Sequence, residues 1–428
     1  MQKRIKTLRV TWRIYLAAVG KWLAVAAITG VVCGALGSAF HIGVEYATEL
    51  RGEHGWLLYL LPLAGLAIVG FYKLLDMEGW GTNDILEEVH SGHGVSLKLL
   101  PAIFFATLLT HLGGGSVGRE GAALQMGGTI GYNTGRLLRL DDKDMRTATT
   151  IGMAAFFSAL FGTPLAASVF AMEISSVGSI YYVEMLPCLV AALSAYGVSV
   201  LFAVKPTSFA VAAPALALGT LLRAALLAAL CALVSVIFCE TIHFTEKQAS
   251  KHVRDPWLRV ALGGAVIVAL TLTLGTTDYN GAGMAVITRA VEQGEADWAA
   301  FALKLLFTAV SLAAGFKGGE VVPSFFVGAT FGCVVGPLLG LDAGFSAAIG
   351  LIAVFCGAVN CPLASTFLAI ELFGTGGVPY FALACALSFV LSGYSGIYSS
   401  QRILYDKLKA RYINVMTNAY SPADAKDE

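Results

Sequence analysis

The stretch HLGGGSVGREGAALQMGG, residues 111–128, decides how the chain is read. An arginine and a glutamate, Arg119 and Glu120, stand among glycines, with long apolar sequence on both sides. Ionisable side chains in such surroundings are expensive to keep and mark function by default. The glycines matter as much. They interrupt an apolar helix, and irregular backbone at membrane depth must be buried in protein or line a polar cavity.

The composition supplies the membrane. Of 428 residues, 57% are hydrophobic and 13% are charged, against about 25% charged in an average soluble chain. The mean hydropathy is +0.74. A polytopic, all-α membrane protein is expected. With 28 basic and 28 acidic residues, the chain lacks the electrostatic footprint of a nucleic-acid binder. Its eight cysteines lie inside apolar runs, with no CxxC and no Cys/His cluster, and read as small buried hydrophobes. No metal site and no cofactor is expected. Without a nucleotide loop or a triad, the chain does not read as an enzyme.

Both ends are basic. Lys3, Arg4, Lys6, Arg9 and Arg13 precede the first apolar run, and QRILYDKLKARY follows the last. The positive-inside rule puts both termini in the cytoplasm. The first apolar run is too long for a signal peptide and lacks a cleavage site. The expected organisation is an amphipathic cytoplasmic helix over 1–17, a first membrane repeat over 18–205, a second over 206–410, and a short cytoplasmic tail over 411–428. No soluble regulatory domain is expected after the membrane region. A bacterial inner membrane fits such a chain.

The repeats are visible directly. LKLLPAIFFATLLTHLGGGSVGREGAALQMGGTIG (97–131) resembles LKLLFTAVSLAAGFKGGEVVPSFFVGATFG (303–332), and FFSALFGTPLAASVFAMEI (156–174) resembles VFCGAVNCPLASTFLAIEL (354–372). Each half runs from a lysine-bearing helix through a glycine-rich break to a short helix, then to a Pro-Leu-Ala helix ending in Glu. Duplicated membrane proteins of this kind are often inverted repeats, with substrate held between discontinuous helices at the repeat interface. The breaks at 113–121 and 315–323 are therefore the candidate site.

A helix start offers free N–H groups and partial positive charge. Two facing starts suit an anion that must be admitted and released. Glycine lets the backbone approach closely. A carboxylate among those amides, Glu120, competes with the anion and, once protonated, swings aside. The alternative is a buried salt bridge between Glu120 and Arg119 or a lysine. Glu320 is the second acid, in the other break; its alternative is an N-terminal glutamate stabilised by the helix dipole. Lys98 and Lys304 match across the repeats and read as charge balance for buried carboxylates and as packing anchors. Glu173 and Glu371 read as structural, and His111 as a satisfied core or interfacial histidine. Tyr394 and Tyr398 each offer a hydroxyl that could donate to an anion, or else belong to an interfacial aromatic belt.

These residues resemble the CLC family of chloride channels and anion/proton antiporters over about residues 15–412. GREG at 118–121 is similar to the family's GREGP motif, whose glutamate is the gate. GGEVVP at 318–323 stands where GxFxP is usual, and GWGTN at 79–83 where GSGIP carries a chloride-contacting serine. SGIYSS at 395–400 stands where the coordinating tyrosine begins the last helix. The resemblance implies an inverted-repeat CLC-type fold with re-entrant and broken helices, a homodimer with one pathway per subunit, and cytoplasmic termini.

The departures point to one branch. Ala122 replaces the proline of GREGP, Val321 the phenylalanine of GxFxP, and Trp80 the serine if the glycines align. The usual internal proton glutamate would fall at Ile174. FKGGEVVP at 316–323 resembles the fluoride-exporting branch, which exchanges fluoride for protons. The resemblance then implies Glu120 as gate and proton carrier and Glu320 as a second acid near the pathway. It implies Thr82, Asn83 and Tyr398 as donors to the anion, and Gly118, Arg119, Gly121, Val321 and Val322 around it. Related sequences often carry a threonine near Val322. Which of Trp80, Gly81 and Thr82 faces the anion stays open. The competing readings are a chloride/proton antiporter, a passive chloride channel, or a channel-like membrane scaffold or sensor without turnover.

Overall fold

In a computed structural model, residues 2–92 and 94–419 are described. The first half contains α1 (Gln2–Glu53), α2 (Leu61–Leu74), α3 (Thr82–Ser91), α4 (Leu99–Gly113), α5 (Glu120–Leu137), α6 (Asp142–Phe161), α7 (Pro164–Glu173) and α8 (Met185–Leu201). The second contains α9 (Leu218–His252), α10 (Pro256–Leu274), α11 (Met284–Thr288), α12 (Ala300–Ala314), α13 (Val321–Val335), α14 (Ala343–Val359), α15 (Pro362–Phe373) and α16 (Val378–Leu391). Among the described residues, six helical segments are long and apolar enough to cross a membrane, and shorter apolar helices accompany them. Large exposed apolar side chains such as Leu63, Leu218, Leu226 and Leu233 face outward, as a lipid-facing surface requires.

The helix expected over 1–17 runs without a break into the first apolar segment as α1. Much of its amphipathic face falls on side chains outside the described ones.

The two halves use the same devices at matching places. Gly127 and Gly131 of α5 lie against α6, where a Cβ on Gly131 would meet the Ala148 carbonyl at 2.1 Å. Gly328 and Gly332 of α13 lie against α14, where a Cβ on Gly328 would meet the Gly350 carbonyl at 2.2 Å. Small residues four apart let membrane helices touch backbone to backbone. Next, α6 ends at Gly162 (φ 68°) and α14 at Asn360 (φ 57°), both in the left-handed region that stops a helix. Two residues on, Pro164 and Pro362 start α7 and α15, where the missing N–H costs nothing.

Glu173, at the end of α7, then accepts from the amides of Leu363 (3.3 Å) and Ala364 (2.8 Å) in the first turn of α15. Glu371, in α15, accepts from Leu165 (3.0 Å) and Ala166 (2.8 Å) in the first turn of α7. The exchange is what a two-fold relation between the halves produces.

The C-terminal region departs from expectation. Tyr398 begins no helix. The chain forms β2 (Arg402–Tyr405) and β3 (Tyr412–Met416), which pair antiparallel, while β1 (Ser176–Val177) adds to β2 in parallel. Residues 412–416, within the short tail expected over 411–428, are thus a strand, and residues 420–428 of that tail lie outside the described residues. Gln401 ties the sheet to the core: its amide donates to Ile174 O (2.9 Å) and Val359 O (2.8 Å). Tyr394 is buried under the sheet with Val177 and Ile403.

Candidate functional site

The two breaks meet. Gly118 N donates to Gly319 O (2.6 Å), and Gly319 N donates to Gly118 O (2.9 Å), an isolated antiparallel bridge between the halves. Beyond it α5 starts at Glu120 and α13 at Val321. Glu120 is fully buried, and its Oε2 accepts from the amide of Val322 at 3.1 Å. A side chain of its own chain therefore occupies the amide end of the opposite repeat's helix. Its Oε1 has no hydrogen-bond partner. The backbone packs closely here: a Cβ on Gly118 would stand 2.1 Å from Glu120 Oε2, and one on Gly319 2.4 Å from Gly121 N.

Cavities open on the two sides of this bridge. The near cavity, about 640 Å³, is lined by Trp80, Gly81, Thr82, Asn83, Glu320 and Tyr398, among others. The far cavity, about 830 Å³, is lined by His41, Glu45, Arg51, His111, Arg119 and Val322, among others. Glu120 lines neither and stands between them. Val321 is likewise buried and lines neither.

In the near cavity, Thr82 lies against the start of α5. Its hydroxyl lies 3.4 Å from Gly121 O and accepts from Gln125 Nε2 at 3.2 Å. Asn83 is committed through Oδ1, which accepts from Ser400 N at 3.2 Å. Trp80 contributes its carbonyl, which accepts from Lys317 Nζ at 3.2 Å. The Tyr398 hydroxyl is buried without a partner, and so is Glu320 Oε2. Buried polar atoms are nearly always paired, so two orphans lining one cavity call for an explanation.

Several alternatives resolve on geometry. Among the described residues, Glu120 and Arg119 form no ion pair; Arg119 sits over the Phe161 ring at 5.6 Å. Lys98 is exposed and pairs with Asp76 at 3.1 Å, whereas Lys304 is fully buried and donates to the carbonyls of Gly281 (2.6 Å) and Tyr279 (3.2 Å). Neither lysine touches a buried carboxylate. His111 is buried, with Nδ1 bonded to Thr107 O at 2.9 Å, but its Nε2 is unpartnered, so it is only half satisfied. Tyr394 lies outside both cavities. Sequence reasoning placed Gly319 and Lys317 in the second break without giving either a role, and it missed Gln125. A glycine facing another across the repeat was a readable signal for Gly319. Gln125 lies one helical turn past Gly121 on α5, a spacing that puts the two on one face.

Facing helix starts from two related halves, with a carboxylate between opposed cavities, define the architecture of an ion-translocating membrane protein. The chain belongs to the CLC family: the description Voltage gated chloride channel matches residues 64–393. A chloride/fluoride channel protein of Pseudomonas syringae pv. tomato is 35% identical over 398 residues, spanning 91% of this chain and 88% of the relative. An H(+)/Cl(-) exchange transporter of Vibrio parahaemolyticus is 27% identical over 386 residues, spanning 82% and 81%. The crystal structure of a CLC-type fluoride/proton antiporter superposes with a TM-score of 0.87 at 29% identity, covering 90% of this chain and 98% of that one. The fold is CLC-type and mostly helical, and the protein is a polytopic membrane protein.

Proposed function

We propose that the chain exports fluoride in exchange for protons, with Glu120 as gate and proton carrier. The observation that carries this is the Glu120 carboxylate on the amide of Val322, between the two cavities. Ionised, it fills the place an anion would take. Protonated, it loses the charge that holds it there and releases the amides of Val322 and its neighbours to a halide. Return of the carboxylate expels the halide. Anion and proton therefore move in opposite directions through one competing site.

Fluoride is small and strongly hydrated, so its lost water must be replaced by donors. Thr82, Asn83 and Tyr398 stand along the near cavity for that role, and the unpartnered Tyr398 hydroxyl is free to take it. Glu320, in the same cavity, donates a hydrogen bond to the anion when protonated and repels it when ionised, so its protonation and anion binding are linked. Gly118, Gly121, Val321 and Val322 supply backbone, and Arg119 attracts anions to the far cavity. The likeness to a structure described as a fluoride/proton antiporter supports this substrate over chloride alone. Outward fluoride and inward protons both run down an inside-negative potential, worth roughly 2.3 kcal/mol per charge per 100 mV. The protein acts as a homodimer in the inner membrane with both termini in the cytoplasm.

The test is fluoride efflux from proteoliposomes with simultaneous pH recording. Coupled proton uptake is expected. Fluoride movement without protons identifies a passive channel, and chloride movement with fluoride excluded identifies a chloride transporter.

A further inference from the structure

The connection between the two C-terminal strands reaches back into the helices. Lys407, which lies between β2 and β3, donates to Asn360 Oδ1 (2.5 Å), Phe389 O (2.8 Å) and Ser392 Oγ (3.3 Å). Its ammonium also stands 4.3 Å from the centre of the Phe389 ring. An ammonium carries three donors and no acceptor, and all three are spent here. The place accounts for the charge. Asn360 caps the C-terminus of α14 and Ser392 that of α16. The negative ends of two helices therefore converge on one cation.

The cation fixes two amides in turn. Because Lys407 only donates, Asn360 turns Oδ1 toward it and Nδ2 away. That Nδ2 donates to Ser395 O at 3.0 Å and to Gln401 Oε1 at 3.2 Å. Gln401, with Oε1 so engaged, turns Nε2 to the carbonyls of Ile174 and Val359 at the ends of α7 and α14. Ser395 and Gln401 lie three residues before and three after Tyr398. One asparagine thus grips the tyrosine's loop at both ends. Between those ends, Ile397 N donates to Ala358 O at 2.9 Å and Gln401 N to Tyr398 O at 3.1 Å. Tyr398 starts no helix, and its hydroxyl makes no hydrogen bond that would hold it. Its place follows from how this loop is held.

We propose that Lys407 is a positioning residue for Tyr398: through Asn360 and Gln401 it clamps residues 395–401 and so sets where the phenol stands in the near cavity. The effect on the anion rests on the reading of Tyr398 as a donor given above. The clamp itself does not.

Two measurements test the proposal and separate it from that reading. The first is thiol labelling in detergent with a small methanethiosulfonate reagent. The eight native cysteines are buried, and Ile397, beside Tyr398, is buried at the edge of the near cavity. Ile397→Cys is expected to label slowly, and at least fivefold faster once Lys407→Met is added, since access controls thiol reactivity. Glu371→Gln, which loosens a helix cap elsewhere, is expected to leave the slow rate unchanged. The second is initial flux against concentration of the halide that the wild type carries, for Tyr398→Phe, Lys407→Met and the double variant. Each single change is expected to raise KM roughly fivefold, the size of one hydrogen bond, and the double variant no further, because both act through one contact. Should Lys407→Met not give a monodisperse protein, Asn360→Gly, which keeps the left-handed cap and removes the amide, serves with the same expectations. An unchanged labelling rate overturns the proposal, as does equal acceleration by Glu371→Gln or a double-variant KM equal to the product of the single effects. Faster labelling with a wild-type KM in both single variants upholds the clamp and overturns the role of the Tyr398 hydroxyl in anion binding.

Discussion

Glu173 and Glu371 cap each other's helices. Each lies in the last turn of one Pro-Leu-Ala helix and accepts two amides from the first turn of the other. Neither lines the near or far cavity. Carboxylates at helix starts stabilise through hydrogen bonds and the helix dipole, and losing such a cap costs about 1 kcal/mol. Glu173→Gln and Glu371→Gln are therefore expected to lower the thermal midpoint in detergent and leave the anion-to-proton ratio unchanged. A lost proton flux with Glu173→Gln would make that residue part of the proton route.

Gly118 and Gly319 carry the bridge. A Cβ on Gly118 collides with the Glu120 carboxylate, and one on Gly319 collides with backbone of the other repeat. A flexible carboxylate can move and a backbone cannot. Gly118→Ala is expected to give folded protein with Glu120 displaced and anion flux uncoupled from protons. Gly319→Ala is expected to destabilise by about 1–3 kcal/mol, the range for overpacking. Paired flux and melting measurements check both.

Tyr398 hides a hydroxyl with no partner. Removing an unpaired buried polar group costs the fold nothing. Tyr398→Phe is expected to match or exceed wild-type thermal stability while raising the KM for the anion. Loss of stability with unchanged KM would assign the hydroxyl to the fold.

Thr82 presents its hydroxyl to Gly121 O in the first turn of α5 and accepts from Gln125. Thr82→Val keeps shape and removes the donor. One hydrogen bond of about 1 kcal/mol corresponds to a KM roughly fivefold higher. Gln125→Leu, which removes only the hydroxyl's partner, is expected to have a smaller effect on KM in the same assay.

The paired architecture was legible because glycine breaks and Pro-Leu-Ala starts are local signals, and they recur in both halves. Register was harder. Lys98 precedes Gly113 by 15 residues and Lys304 precedes Gly315 by 11, a difference of about one helical turn. That turn puts Lys98 at the exposed start of α4 and Lys304 inside α12. The C-terminal strands were not legible. The partner that completes their sheet, Ser176–Val177, lies more than two hundred residues away, and strand preference depends on such partners. The resemblance, which ends in a helix after the tyrosine, pointed the other way. The bridge between Gly118 and Gly319 was implied by two facing breaks, but its hydrogen bonds depend on how the halves dock.

The central claim is that Glu120 and the transported halide exclude one another from the same amides, with a proton deciding which is present. Glu120→Gln fixes the side chain in a neutral, nearly isosteric form. In proteoliposomes recorded for fluoride and pH together, fluoride flux is expected to lose all proton coupling. Fluoride movement that still drives stoichiometric proton movement in that variant contradicts the account.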